Sequence, residues 1–434
     1  MFIALELGIA YIWIDSLCIV QNLYDDWVYE SKRMGDVYCY AECNIAASGS
    51  RDGTSGLFGE RTALPVLHPT FPLKCSLFDE DGRAPEQNFH GFYTVADDTQ
   101  FELQVNRSLL NSRAWVAQER ALSPGIIHFT PEKVWWECSQ MVADEAISSN
   151  RRFSYLDVGQ TIRWLNAELR AGIYQFWLWF VERYAGSRIT KSNDRFPAAS
   201  GIARVLEEML NENYIAGFWE GDLVRSLLWV RTDVVHDIPP IQLAPSWSWA
   251  SMCGEIQSEL NYFPESEVQF VEGVQIEALS EIPGFESDLK SPSVERSFVR
   301  GLAVKGPLRS LPPDLQSDPQ GKTEDYMWLY VMMNHDREAL KDVAIPEDRA
   351  WSLEEATHFL PLTIQLDHDV VTGLLLQEVK ETTEGNEFRR CGVISFDFGE
   401  EDDVDGYLGL RKRNGNYEPS LRFEECGLQD IVLI

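Results

Sequence analysis

Four apolar residues in succession, Tyr11-Ile12-Trp13-Ile14, close on Asp15 near the start of the chain, and no other feature narrows the choice of fold as much. A run without polar alternation is the pattern of a strand buried on both faces. After it, Trp27, Met34, Tyr38 and Ala41 recur at helical spacing, which predicts a helix from about Asp25 with Asp25 or Asp26 as its cap. A short apolar stretch at Asn44 to Ala47 follows. Strand, helix and strand in that order predict an α/β sheet.

Further along, a second helix is expected from about Arg113 to Leu122, then a strand pair at Ile126 to Phe129 and Val134 to Cys138. Residues 79–100 are polar and read as an insertion or loop. Residues 150–232 read as mainly helical. Beyond about 245, segments such as Val299 to Val304, Leu360 to Ile364, Thr372 to Leu376 and Cys391 to Phe396 alternate as antiparallel strands do. The expected organisation is an α/β domain over 1–145, a helical region over 146–244 and a β-rich domain over 245–434.

The chain has 37 Lys and Arg against 69 Asp and Glu, a formal charge of −32. Phosphate backbones and anionic lipid surfaces repel such a surface, so neither a nucleic acid nor a membrane is the expected partner. No span approaches the ~20 apolar residues of a membrane helix, and the N-terminus lacks the basic region and cleavage site of a signal peptide. Eight cysteines with no CxxC spacing predict buried, reduced thiols in a cytoplasmic protein. Cys39 and Cys43, four apart, would share a face if one helix held both, but no His follows at a metal-binding spacing, so no metal site is assigned.

Four sequence blocks point to a family. The first is Tyr11-Ile-Trp-Ile-Asp-Ser-Leu-Cys-Ile-Val-Gln21 with Asp26, Trp27, Glu30, Met34, Tyr38 and Ala41. The second is Gly56-Leu-Phe58 with Arg61. The third is Arg113-Ala-Trp-Val-Ala-Gln-Glu-Arg120, followed by His128-Phe129 and Trp136-Glu-Cys138. The fourth gathers Tyr214-Ile-Ala-Gly-Phe-Trp219, Leu227-Leu-Trp229 and Pro245-Ser-Trp-Ser-Trp-Ala250. Together and in this order they resemble fungal heterokaryon-incompatibility (HET) domain proteins, and Phe388-Arg-Arg-Cys-Gly-Val393 resembles a late segment of the same family. The resemblance implies allorecognition and programmed cell death. It also implies a sheet distantly similar to that of Toll/interleukin-1 receptor (TIR) domains, of flavodoxin-like type. Family members open with a further strand and helix before the Trp-Ile-Asp segment, so the sheet is expected to lack its first strand.

Some TIR domains cleave NAD with a glutamate four residues after a tryptophan on a helix, and Trp115 and Glu119 reproduce that spacing. With Leu122 they occupy i, i+4 and i+7, one helix face. Glu119 is therefore the leading catalytic candidate, against a plain structural role paired with Arg113, Arg120 or backbone amides. Glu30 is the alternative carboxylate, or else a solvated or salt-bridged helix residue. Asp15, at the end of the first predicted strand, suits ligand binding or a turn cap equally. Trp115 and Arg61 complete the candidate ligand contacts; the glycine-rich loop that carries Arg61 matches no phosphate-binding motif and reads equally as a plain surface loop. Tryptophans at Trp247 and Trp249 are expected on one strand face, wedged between the α/β domain and the later sheet. No cofactor is implied, with NAD entering only as a substrate. Two other readings stay open: a non-catalytic module that binds a protein partner or itself, and an inactive truncated copy.

Overall fold

A computed structural model describes residues 2–58, 70–78, 85–94, 99–139, 141–145, 162, 170–231, 244–252, 254–258, 268–271, 273–279, 301–310, 328–333, 358–365, 370–382, 385–397, 410–413, 416–419 and 428–434. The protein combines helices and sheets and divides into two compact units, Met1–Leu165 and Asn166–Ile434. The helices of 170–210 thus belong to the same unit as the strands beyond 245.

The first unit opens with helices α1 (Phe2–Glu6), α2 (Asp15–Cys18) and α3 (Tyr24–Cys39), then strand β1 (Asn44–Ala46). The hairpin strands β2 (Thr70–Phe78) and β3 (Pro85–Thr94) follow. Next come α4 (Thr99–Phe101), continued by a π turn, then α5 (Ala114–Leu122) and strands β4 (Gly125–Phe129), β5 (Val134–Cys138) and β6 (Val142–Asp144). The sheet runs β1-β4-β5-β6. Only β1 and β4 are parallel; β4, β5 and β6 form an antiparallel meander. A flavodoxin-like sheet is parallel throughout its centre, so the agreement rests on the β1–β4 pair alone.

Several elements fall where the apolar spacing put them. Helix α3 turns Ser31, Met34 and Gly35 inward. Strand β4 is buried along most of its length, as its apolar sequence Gly-Ile-Ile-His-Phe requires. In β5 the alternation sends Trp135 and Glu137 inward while Trp136 lies over β4. Gly125 is what admits that indole: a Cβ there would stand 2.3 Å from Trp136 Cη2. Trp135 packs with Phe101, Val105 and Val142 in the core. The buried Lys133 reaches Asp144 at 3.4 Å and lies 4.9 Å over the Trp135 ring.

Three local expectations are corrected. Residues 11–14 form no strand: no partner strand pairs with them among the described residues, Tyr11 is 90% exposed, and α2 begins at Asp15. A strand needs a ladder to satisfy its backbone, and among the described residues β1 pairs only with β4. The cap of α3 is Leu23, without a side-chain bond; Asp26 accepts instead from the Val20 amide at 2.7 Å, which ties the α2–α3 turn. The polar stretch 79–100 contains β3, in register with β2 through pairs such as Phe71 with Tyr93. Polar residues conceal a hairpin because one of its faces can meet water.

The cysteines differ as well. Helix α3 ends at Cys39, so Cys43 does not share a helix face with it; both are half-buried, Cys18 is exposed, and all are free thiols.

In the second unit, α6 (Arg170–Ala185) and α7 (Pro197–Leu210) precede the two-residue strands β7 (Tyr214–Ile215) and β8 (Phe218–Trp219), the short α8 (Leu223–Ser226) and β9 (Trp229–Arg231), which pairs with β10 (Ile256–Ser258). A nine-stranded sheet follows. It contains β11 (Val268–Phe270), β12 (Gln275–Leu279), β13 (Gly301–Gly306), β14 (Arg309–Ser310), β15 (Trp328–Met333), β16 (His358–Gln365), β17 (Val370–Thr382), β18 (Gly385–Asp397) and β21 (Gln429–Leu433), while β19 (Leu410–Arg413) and β20 (Asn416–Pro419) pair separately. The pairings are antiparallel except for β18 with β21. The predicted loop segments at 282–295 and 311–325 lie outside the described residues.

Trp247 and Trp249 sit in a turn and a 3₁₀ helix rather than on a strand, and both are fully buried inside this unit. Trp249 donates to the Gly217 carbonyl at 3.0 Å and packs edge-on to Tyr184. Ser248, between them, donates to the Ala216 carbonyl at 2.6 Å. Alternate polar and aromatic residues resemble a strand, but Ser248 caps the 3₁₀ turn by accepting from the Ala250 amide, and this bends the chain. Arg390, also fully buried, lies 4.0 Å over Trp229 and donates to the Leu227 and Trp229 carbonyls. Ser246 accepts from the Arg390 amide at 3.1 Å. Sequence blocks more than 140 residues apart thus meet at one point.

Candidate active site

Helices α3 and α5 pack together, and their contact builds the site. At one end Trp115 meets Trp27 edge-on at 6.4 Å, and Trp27 stacks with Tyr24. One turn along α5, Glu119 is half-buried and accepts a hydrogen bond from the Tyr38 hydroxyl. Trp13 closes on the Tyr38 ring at 5.8 Å. Asp15 and Arg113 lie near enough for their charges to act on both Glu119 and Tyr38.

Burial pushes the Glu119 carboxyl up, and the negative charge of Asp15 adds to this; the Tyr38 hydrogen bond and Arg113 oppose them. The balance leaves it at about 7. The same burial, with Glu119 beside it, drives the Tyr38 hydroxyl far above the ordinary tyrosine range, so it stays a hydrogen-bond donor. A carboxyl poised near neutrality in a partly dry, aromatic setting can exchange a proton or stabilise a nearby cation.

The predicted residues divide. Asp15, Trp115 and Glu119 converge on the α3–α5 contact, although Asp15 reaches it from the first turn of α2 rather than from a strand end. Glu30 faces Arg33 on its own helix at 3.8 Å. Arg61 lies outside the described residues. The contributions of Tyr38 and Trp13 were missed by sequence reasoning, which read Tyr38 only as an apolar helix position; a tyrosine four residues after Met34 carries no sign of a carboxylate 81 positions away.

Behind α5 runs a second, buried network with no counterpart in the sequence reading. Arg120 turns away from Glu119 and grips both oxygens of Glu137, with contacts of 2.8 to 3.1 Å. His128 Nε2 meets the same carboxylate at 2.8 Å, and Ser48 meets His128 Nδ1 at 3.0 Å. Burial would raise the Glu137 carboxyl, but Arg120 and His128 outweigh it and hold it down at about 2. Burial lowers His128, keeping it neutral near pH 7. A carboxylate only accepts, so His128 carries its proton on Nε2 and Nδ1 accepts from Ser48. Serine, histidine and glutamate in series resemble a nucleophilic triad, yet Ser48 is only 5% exposed and Glu137 is engaged by Arg120. The network instead fastens α5 to β4 and β5 and so orients the helix that carries Glu119.

Among the described residues, no group of three or more His, Cys, Asp or Glu side chains is placed to hold a metal ion. Nor is any described helix long and apolar enough to cross a membrane.

The first unit is thus a small helix-and-sheet domain with a tyrosine-bonded carboxylate set among tryptophans. Residues 1–119 match the model of the family described as Heterokaryon incompatibility protein (HET), a span ending on Glu119 itself. This segment is thus similar to the heterokaryon incompatibility family, which suggests an incompatibility-related function. No curated protein and no solved structure matches it.

Proposed function

We propose that the HET domain hydrolyses NAD, with Glu119 as its catalytic carboxylate, and that loss of the dinucleotide drives programmed cell death in allorecognition. The supporting observation is Glu119 itself: half-buried on the face of α5, hydrogen-bonded to Tyr38, and lifted to about 7. As the bond between nicotinamide and ribose breaks, its electron pair leaves with the nicotinamide and positive charge passes to the ribosyl carbon. An ionised Glu119 stabilises that charge strongly because little water screens it. Arg113, exposed beside it, supplies positive charge for the pyrophosphate, and the spacing of Trp115 and Glu119 resembles that of NAD-cleaving TIR domains.

The test is nicotinamide release by the purified, concentrated protein. Loss of release in Glu119→Ala, with release retained in Glu30→Ala and both variants folded, is the expected result. Equal activity in Glu119→Ala and wild type would refute the assignment.

A second reading has its own support. Phe2, Leu5, Tyr11, Leu17, Tyr24 and Tyr40 are each more than 60% exposed within the first 40 residues. Apolar side chains exposed in that density suit a protein-binding surface, through which the domain would engage a partner or a second copy and signal without catalysis.

A further inference from the structure

A series of aromatic rings runs from the helix that carries Glu119 out to solvent. On α5, Trp115 and Glu119 stand four residues apart on one face, about 6 Å along the axis, and Arg113 precedes Trp115 at the N-cap. Trp115 meets Trp27 of α3 edge-on at 6.4 Å, and Tyr24 stacks on Trp27 at 5.9 Å with the rings 24° apart. Trp27 and Trp115 are half-buried, whereas Tyr24, in the first turn of α3, is 61% exposed. The tyrosine ring thus has an indole against one face and solvent before the other. Packing on Trp27 fixes its orientation, so a flat ligand ring can stack on the open face at little ordering cost.

We infer that Tyr24 is a binding residue of this site, stacking the adenine ring of the dinucleotide on its open face. This rests on the NAD-hydrolase reading and extends it to the far end of the substrate. Two ring contacts and one helix turn link Tyr24 to Glu119, a path that a dinucleotide can follow with its bases at opposite ends. Glu119 takes the ribosyl carbon next to nicotinamide, the exposed Arg113 takes the pyrophosphate, and Tyr24 takes the adenine. Asp25 and Asp26 follow Tyr24 in the first turn of α3. Their charges repel phosphate, so this position suits an uncharged base. Stacking reads the plane of a base rather than its edge, so Tyr24 needs no hydrogen bond to adenine.

Binding and turnover test the two readings separately. Calorimetric titration of the intact chain with ADP-ribose reports the adenine contact without any reaction, and nicotinamide release from NAD reports hydrolysis. Tyr24→Ala should weaken ADP-ribose binding and raise the KM for NAD, each by about tenfold, while kcat stays within about twofold, as losing one base–aromatic stack requires. Tyr24→Phe should keep wild-type values, because the ring and not the hydroxyl makes the stack. Hydrolysis of nicotinamide mononucleotide, which has no adenine, should be equal in Tyr24→Ala and wild type. A Tyr24→Ala protein with wild-type affinity and KM, or one that loses NAD and nicotinamide mononucleotide hydrolysis alike, overturns the role of Tyr24 and leaves the hydrolase reading standing. A wild-type protein that binds ADP-ribose through Tyr24 but releases no nicotinamide overturns the hydrolase reading and keeps the stack as a nucleotide contact. Neither binding nor release overturns both.

Discussion

At the scale of single residues, the role proposed for Glu119 and the stability of the fold pull in opposite directions. Its folded-state carboxyl is raised to about 7 from an ordinary value near 4.5. A raised carboxyl favours folding while protonated, so this contribution is full below about pH 4.5 and is lost as pH rises toward 7. Wild-type stability should therefore fall by roughly 2 kcal/mol across that window relative to Glu119→Gln, which cannot ionise. Chemical denaturation of the two proteins at pH 4.5 and pH 8 measures this. The variant should be the more stable at pH 8 while releasing no nicotinamide. A Glu119→Gln protein less stable than wild type at pH 8 would mark Glu119 as a structural residue. The spacing of Trp115, Glu119 and Leu122 was legible in the sequence because helical geometry is local. That Tyr38 would meet Glu119 was not, because the pair exists only once α3 and α5 pack.

At the scale of elements, α5 depends on a network spread across Ser48, Arg120, His128 and Glu137. Glu137 is buried by the alternation of β5, and its pairing with Arg120 makes that burial tolerable. Glu137→Ala should destabilise the first unit by about 3 kcal/mol, because it strands a largely buried guanidinium. Hydrogen exchange should show the α5 amides losing protection first. With Glu137 held at about 2, its contribution is present above about pH 4.5 and fades as pH falls toward 2; Glu137→Ala should erase that acid-side slope. In the second unit, Gly217 (φ +106°) leaves no room for a side chain, since a Cβ would stand 2.4 Å from Trp249 Nε1. Gly217→Ala should lower the stability of that unit by about 2 kcal/mol, through backbone strain and displacement of the Trp249 indole, measurable by tryptophan fluorescence during urea unfolding.

At the scale of the whole molecule, the net charge of −32 and the exposed apolar side chains of the first 40 residues act against each other. Like charges keep copies apart, and salt weakens that repulsion. If this surface joins copies, sedimentation should show association that strengthens with added salt and is lost in Tyr11→Ser with Leu17→Ser. The melting temperature should barely change, because both side chains are more than 70% exposed. A wild-type protein that stays monomeric at every salt concentration would leave this surface to a different partner. The sequence by itself determined local elements such as α3, α5, β4 and β5, because apolar spacing directly reports which face of a helix or strand is buried. Its motifs, through their order, also pointed to the resemblance of residues 1–119 to the heterokaryon incompatibility family, and it raised Glu119, Glu30, Asp15, Trp115 and Arg61 as candidates. Only the tertiary structure decided that residues 11–14 remain outside the sheet, that Trp247 and Trp249 turn within one unit, and that Glu119 bonds Tyr38 while Arg120 is drawn to Glu137. Each of these depends on which distant group occupies the space beside a side chain, and neither propensity nor periodicity carries that information.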